Sequence, residues 1–132
     1  MKCFARILIV LICLISLSSC SSQETALDGL VEALSKRGFT VSVTEDVPLE
    51  DAGPDLGAYR IDRLEIGEDI AGVYFFKSGE ELVKGMAAWR DVAALASFNG
   101  IPSLYHTDSL LLITIGADDE LLTALEELWQ PM

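Results

Sequence analysis

The chain has 132 residues, 51% of them hydrophobic, with nine basic residues against 21 acidic ones and a formal net charge of −12. That length suits one domain around one core, and a charge of that sign repels nucleic acid and anionic headgroups, which argues against a nucleic-acid partner. Its cysteines, Cys3, Cys13 and Cys20, all fall near the N-terminus, so the remainder offers no disulfide, thiolate zinc site or cysteine nucleophile.

The first element is a leader. Lys2 and Arg6 precede an unbroken apolar run of nine residues, Ile7 to Ile15, the basic-then-apolar order of a secretory signal and well short of the roughly 20 residues that span a bilayer. Next comes Leu17-Ser18-Ser19-Cys20, which resembles a bacterial lipobox. Each residue type there has a chemical reason. Leu17 is an apolar anchor, Ser18 and Ser19 are small enough to thread a peptidase cleft, and the Cys20 thiol is the nucleophile that takes a diacylglyceryl group as a thioether. The resemblance implies cleavage before Cys20, palmitate-type acylation and attachment to the cell membrane on its extracytoplasmic side. A two-chain lipid anchors stably where one chain binds only marginally. Ser21 rather than aspartate follows Cys20, so the motif carries no inner-membrane retention signal, and an outer membrane is open to it if the host has two. The expected organisation is a signal peptide over 1–19, a short tether over 20–23 and a single domain over 24–132. With the leader removed, seven basic residues face 21 acidic ones, a net charge of −14.

Leu27, Leu30, Val31 and Leu34 form one apolar stripe that predicts a helix from Glu24 to Arg37, stopped by Gly38. Phe39 to Thr44 alternates and predicts a strand. A loop marked by Pro48, Gly53, Pro54 and Gly57 leads to a hairpin, Tyr59–Ile66 and Ile70–Phe76, turning at Gly67-Glu68-Asp69. The second strand of that hairpin is apolar on both faces, which places it centrally. Ser78-Gly79-Glu80-Glu81 is a capping box opening a second helix, and Val92 to Phe98 fits either its last turns or another strand. Asn99-Gly100 and Pro102 make a turn into a second hairpin, Ser103–His106 and Leu110–Ile115. A final helix starts at Asp118-Asp119-Glu120 and carries Leu121, Leu122, Leu125, Leu128 and Trp129 on one side. The order α-β-β-β-α-β-β-α predicts an α+β domain, an antiparallel sheet of about five strands with three helices, covered mainly on one face.

The lipobox leader, the segment Val73-Tyr74-Phe75-Phe76-Lys77-Ser78-Gly79-Glu80-Glu81 and the segment Ile101 to Gly116 are similar to a group of small bacterial lipoproteins common in spore-forming Gram-positive species. The likeness spans about Tyr59 to Trp129. It implies the address and the fold and carries no catalytic residue across.

The candidate chemistry is sparse. The acidic loop residues Glu45, Asp46, Glu50, Asp51 and Asp55 have oxygen ligands for a hard cation but not EF-hand spacing, and they read first as a solvated loop. His106 is the single histidine; with Asp108 beside it, it lacks the assembled partners of a catalytic base. Asp62, Glu65, Glu68 and Asp69 hold carboxylates of the kind glycan hydrolysis uses, yet that reaction needs two about 5–9 Å apart in a cleft. No cofactor, metal or catalytic residue is expected. The candidate partner face is that of Tyr74 and Phe76, because any part of it left uncovered would be an exposed apolar patch. The expected role is a non-enzymatic binding or accessory module at the cell envelope, with another envelope protein as partner. A small-ligand sensor with a pocket lined by Tyr59, Tyr74 and Trp89 is the alternative, and a glycan-acting enzyme the third.

Overall fold

The structure is a computed structural model and describes residues 22–132; the leader, the lipobox and Cys20 lie outside the described residues. Helix α1 is described over residues 22–36. Its stripe of Leu27, Leu30 and Leu34 is buried. Gly38 stops it at φ +95°, where Phe39 N–H donates to the Leu34 carbonyl and Gly38 N–H to that of Ser35, a left-handed closure suited to glycine. Ser22 and Gln23, expected to be tether, are helical.

Six strands follow: β1 (Val41–Thr44), β2 (Arg60–Ile66), β3 (Asp69–Phe75), β4 (Pro102–His106), β5 (Leu110–Ile115) and β6 (Gln130–Pro131). They form one antiparallel sheet in the order β1-β2-β3-β5-β4-β6. The fold is therefore α+β, as the periodicities predict, with one additional short strand and one additional helical turn, Leu49–Ala52, in the segment expected to be loop. Beyond α1 the helices are α2 (Leu49–Ala52), a single turn after Pro48, then α3 (Gly79–Leu95) and α4 (Asp119–Leu128). The ambiguous segment Val92 to Phe98 is helix as far as Leu95. Ser78 caps α3, its hydroxyl accepting from Glu81 N–H at 3.2 Å. The hairpin turn is tighter than expected, since Ile66 pairs with Asp69 and only Gly67-Glu68 lies between them.

One expectation is corrected: the sheet is covered on both faces. Helices α1 and α4 pack on one side, over Leu64, Val73, Phe75, Leu110 and Leu112. Helix α3 and the loop around Leu56 pack on the other, over Ile61, Tyr74, Phe76, Leu111 and Ile113. The reason is the sequence of the two central strands. Tyr74 and Phe76 alternate with Val73 and Phe75, and Leu110 to Ile113 is apolar throughout, so each strand has side chains to bury in both directions. Contact on the α3 side is close. A Cβ on Gly85 would come well inside van der Waals contact distance of the Phe76 ring, so glycine suits the position.

Among the described residues two polar side chains are buried, Thr114 and the charged Asp62, the latter fully. The Asp62 carboxylate accepts from Arg60 Nε at 2.9 Å and Nη2 at 2.8 Å, and from Asp46 N–H at 2.9 Å. The Arg60 guanidinium also lies 4.7 Å from the Phe75 ring centroid. Asp62 is thus a structural carboxylate. Asp62→Ala leaves the Asp46 amide without its partner and Arg60 with only its exposed contacts to Glu24 and Glu45, and should cost about 3 kcal/mol of stability, measured as a lower urea midpoint with an unchanged slope.

Candidate functional site

The sheet face under α3 is not covered to its end. Trp89 is the last buried residue of α3, and its ring stacks on Phe98 with centroids 5.5 Å apart and planes at 28°. Beyond that pair the sheet floor is open. On β3 and β5 the residues pointing to this face are Ile70, Gly72 and Tyr74, and Ile113 and Ile115. Ile70 is 59% exposed and Ile115 41%, although both lie in strands whose inner halves are core. Gly72 contributes no side chain, so the floor dips there.

The result is an open groove of about 640 Å³, within the range of ordinary ligand sites. One wall is Trp89 and Phe98, the other is the loop Ala52-Gly53-Pro54, and Glu68, Asp69 and Gly116 close the rim. Tyr74 forms the inner end. It is 3% exposed, and its hydroxyl donates to the Ala52 carbonyl at 3.4 Å. Gly53, at φ +117°, passes so near that a Cβ would approach the Tyr74 hydroxyl to 3.2 Å. Burial pushes the Tyr74 phenol above its ordinary value.

The candidate partner residues Tyr74 and Phe76 need correction. Phe76 is fully buried under α3, and Tyr74, though it lines the groove, is 3% exposed, so neither presents a surface. The exposed part of that same face lies further along the strands, at Ile70 and Ile115. Of the aromatics expected around a pocket, Tyr74 and Trp89 come together. Tyr59 does not: it lies at the opposite end of the sheet, edge-on to Phe75 at 6.3 Å between centroids.

The other candidates scatter. Glu65 sits on β2 between Ser42, which donates to it at 3.5 Å, and Ile70 of β3, beside the open end of the groove. Glu68 and Asp69 are neighbours in the β2–β3 turn at the groove rim. His106 pairs with Gln130 of β6 and lines a second cavity of about 520 Å³ with Met86 and Trp129. Beside it, Asp108 N–H donates to Thr107 Oγ1 at 2.6 Å. Among the described residues, no three His, Cys, Asp or Glu side chains are grouped to hold a metal ion. No described helix is long and apolar enough to cross a membrane.

Sequence reasoning missed Gln23. Its Nε2 donates to the Phe76 carbonyl and to Ser109 Oγ, each at 2.7 Å, and its Oε1 accepts from the Tyr59 hydroxyl. One side chain at the start of α1 thereby holds the ends of β2, β3 and β5. Nothing in the local pattern marks it, since the partners lie 36 to 86 residues away.

No family model matches the chain, and no curated protein or solved structure does so either.

The raised Tyr74 phenol has a direct consequence for stability. Its neutral form is favoured in the folded state, so the contribution is fully present below about pH 10, the unfolded value, and is lost as pH rises through the higher folded value. Thermal melts should show Tm falling above about pH 10. Tyr74→Phe should flatten that fall, with Tyr105, also raised by burial, supplying the remainder.

Proposed function

We propose that this chain is a lipid-anchored protein on the extracytoplasmic side of the cell membrane, a non-enzymatic binding or accessory module that works through the groove between α3 and the Gly53–Pro54 loop. The single observation that carries the binding role is the pair Ile70 and Ile115. Two β-sheet isoleucines half open to solvent, beside a stacked Trp89–Phe98 wall, form a contiguous apolar surface that a lone domain gains by covering. What supports the address is the leader, with Leu17-Ser18-Ser19-Cys20 after its short apolar run. The same features support kinship with the small bacterial lipoproteins that the sequence resembles. Another envelope protein is the partner such a surface suits.

A small-ligand sensor is the second reading, favoured by one observation: Tyr74 and Trp89 both line the groove. A ligand seated there would change Trp89 emission with no protein partner present, which separates the two readings.

Two experiments test the proposal. Cys20→Ala should abolish incorporation of labelled palmitate while leaving the circular dichroism spectrum of the domain unchanged; a variant that still takes up the label would refute the anchor. A photo-reactive residue placed at Ile115 should cross-link a specific envelope protein in intact cells, and adding Ile70→Glu should abolish that product. An unchanged product after Ile70→Glu would refute the groove as the working surface.

A further inference from the structure

The groove has a one-sided charge. Its lining includes two carboxylates, Glu68 and Asp69, and no lysine, arginine or histidine. Among the described residues neither carboxylate forms a salt bridge; the nearby cation is Arg63, opposite Gly72 on the same face, which donates to the Asp51 carbonyl at 3.1 Å, and Glu65, opposite Ile70, offsets its charge. Asp69 Oδ2 accepts from Asp118 N–H at 3.4 Å, just before α4. An apolar floor whose open end carries a net negative charge attracts a cation and repels anionic groups.

The position of the groove along the sheet narrows the occupant further. Gln23 is clamped to Phe76 and Ser109, at the end of β3 where that strand leaves the sheet. Ile70 and the β2–β3 turn lie at its other end, six residues away or roughly 20 Å at the usual strand rise. Cys20 is three residues before Gln23, about 10 Å of extended chain. A lipid on Cys20 therefore holds the Phe76 end toward the bilayer and leaves the groove on the side facing away.

We infer that the groove docks a short apolar polypeptide segment carrying a lysine or arginine, presented by a partner from the aqueous side and not by the membrane. The apolar side chains lie on Ile70 and Ile115, and the cation meets Glu68 and Asp69. This rests on the groove being the working surface and on the Cys20 anchor.

The test uses the full-length lipidated protein in phosphatidylcholine vesicles, with Trp129→Phe so that Trp89, the other tryptophan, is the reporter. The probes are a short leucine-rich peptide with one central lysine and its counterpart with glutamate in that place. The lysine peptide should shift Trp89 emission saturably, and the glutamate peptide should not. Glu68→Gln with Asp69→Asn, which keeps an acceptor for the Asp118 amide, should weaken the lysine peptide about tenfold, as should raising the salt to about 1 M. Melting curves verify that the double variant is folded. Equal binding of both peptides, binding of neither, or a lysine peptide indifferent to the double variant each overturns the inference. A small organic amine binding as tightly as the peptide overturns the polypeptide occupant. If Ile70→Glu still abolishes the cross-link while neither peptide binds, the groove survives and only its preference for a basic segment falls. Orientation is read separately by a fluorophore on a new cysteine at Glu68 or at Ser78, against a quencher in the lipid headgroups. Ser78 should be quenched more strongly, and equal quenching overturns the outward-facing groove.

Discussion

Everything in this fold follows from having to bury β3 on both sides at once. Val73 and Phe75 point one way and Tyr74 and Phe76 the other, and all four are at most 3% exposed. Its neighbour β5 imposes the same demand through Leu110 to Ile113. At roughly 25 cal/mol per Å² of apolar surface, neither face can stay wet, so helices have to be found for both. Helices α1 and α4 supply one layer and α3 with the Leu56 loop the other. The supply is unequal. The α1–α4 layer meets buried residues along the strands, whereas α3 makes its last buried contact at Trp89 and leaves the Ile70–Ile115 end to solvent. The groove is the shortfall in that second layer, and its position is set by where α3, which continues to Leu95, stops burying residues against the sheet.

Polar groups then lock the start of the chain to the sheet. The Arg60 guanidinium serves Asp62 with two hydrogen bonds and also reaches Glu24 on α1 at 3.2 Å. Those hydrogen bonds to Asp62 hold the Arg60 guanidinium well above its ordinary pKa, so it stays charged. A buried carboxylate with several donors is stable where an unpaired one would not be. The exposed arm to Glu24 adds little energy, but together with the Gln23 clamp it ties α1 to the ends of β2, β3 and β5. The first described residues thus belong to the rigid body. Any lipid on Cys20 would pull on the sheet through a link of only a few residues rather than through a long leash.

How far the sequence can be read differs by kind of residue. The stripe Leu27-Leu30-Leu34, the alternation around Val41, the capping box at Ser78 and the apolar run Leu110 to Leu112 are local patterns, and each falls in the element it predicts. Errors arise where the outcome depends on a distant partner. Tyr74 and Phe76 read as a candidate exposed face because nothing nearby in sequence says that Gly85 lets α3 close over them. Asp62 read as one carboxylate among several because its bonding with Arg60 and Asp46 combines a same-strand neighbour with a loop residue. The strand β6 escaped because Gln130 and Pro131 join the sheet only by pairing with β4.

The sequence by itself therefore determined the longer helices and strands, their order and the anionic character, since each rests on composition or on neighbours within a few residues. Only the tertiary structure decided which apolar face is covered, where Gln23 and Arg60 fasten α1 to the sheet, and that Ile70, Ile115, Trp89 and the Glu68–Asp69 rim converge on one groove. These depend on how far each helix reaches across a twisted sheet, a distance in space that spacing along the chain does not encode.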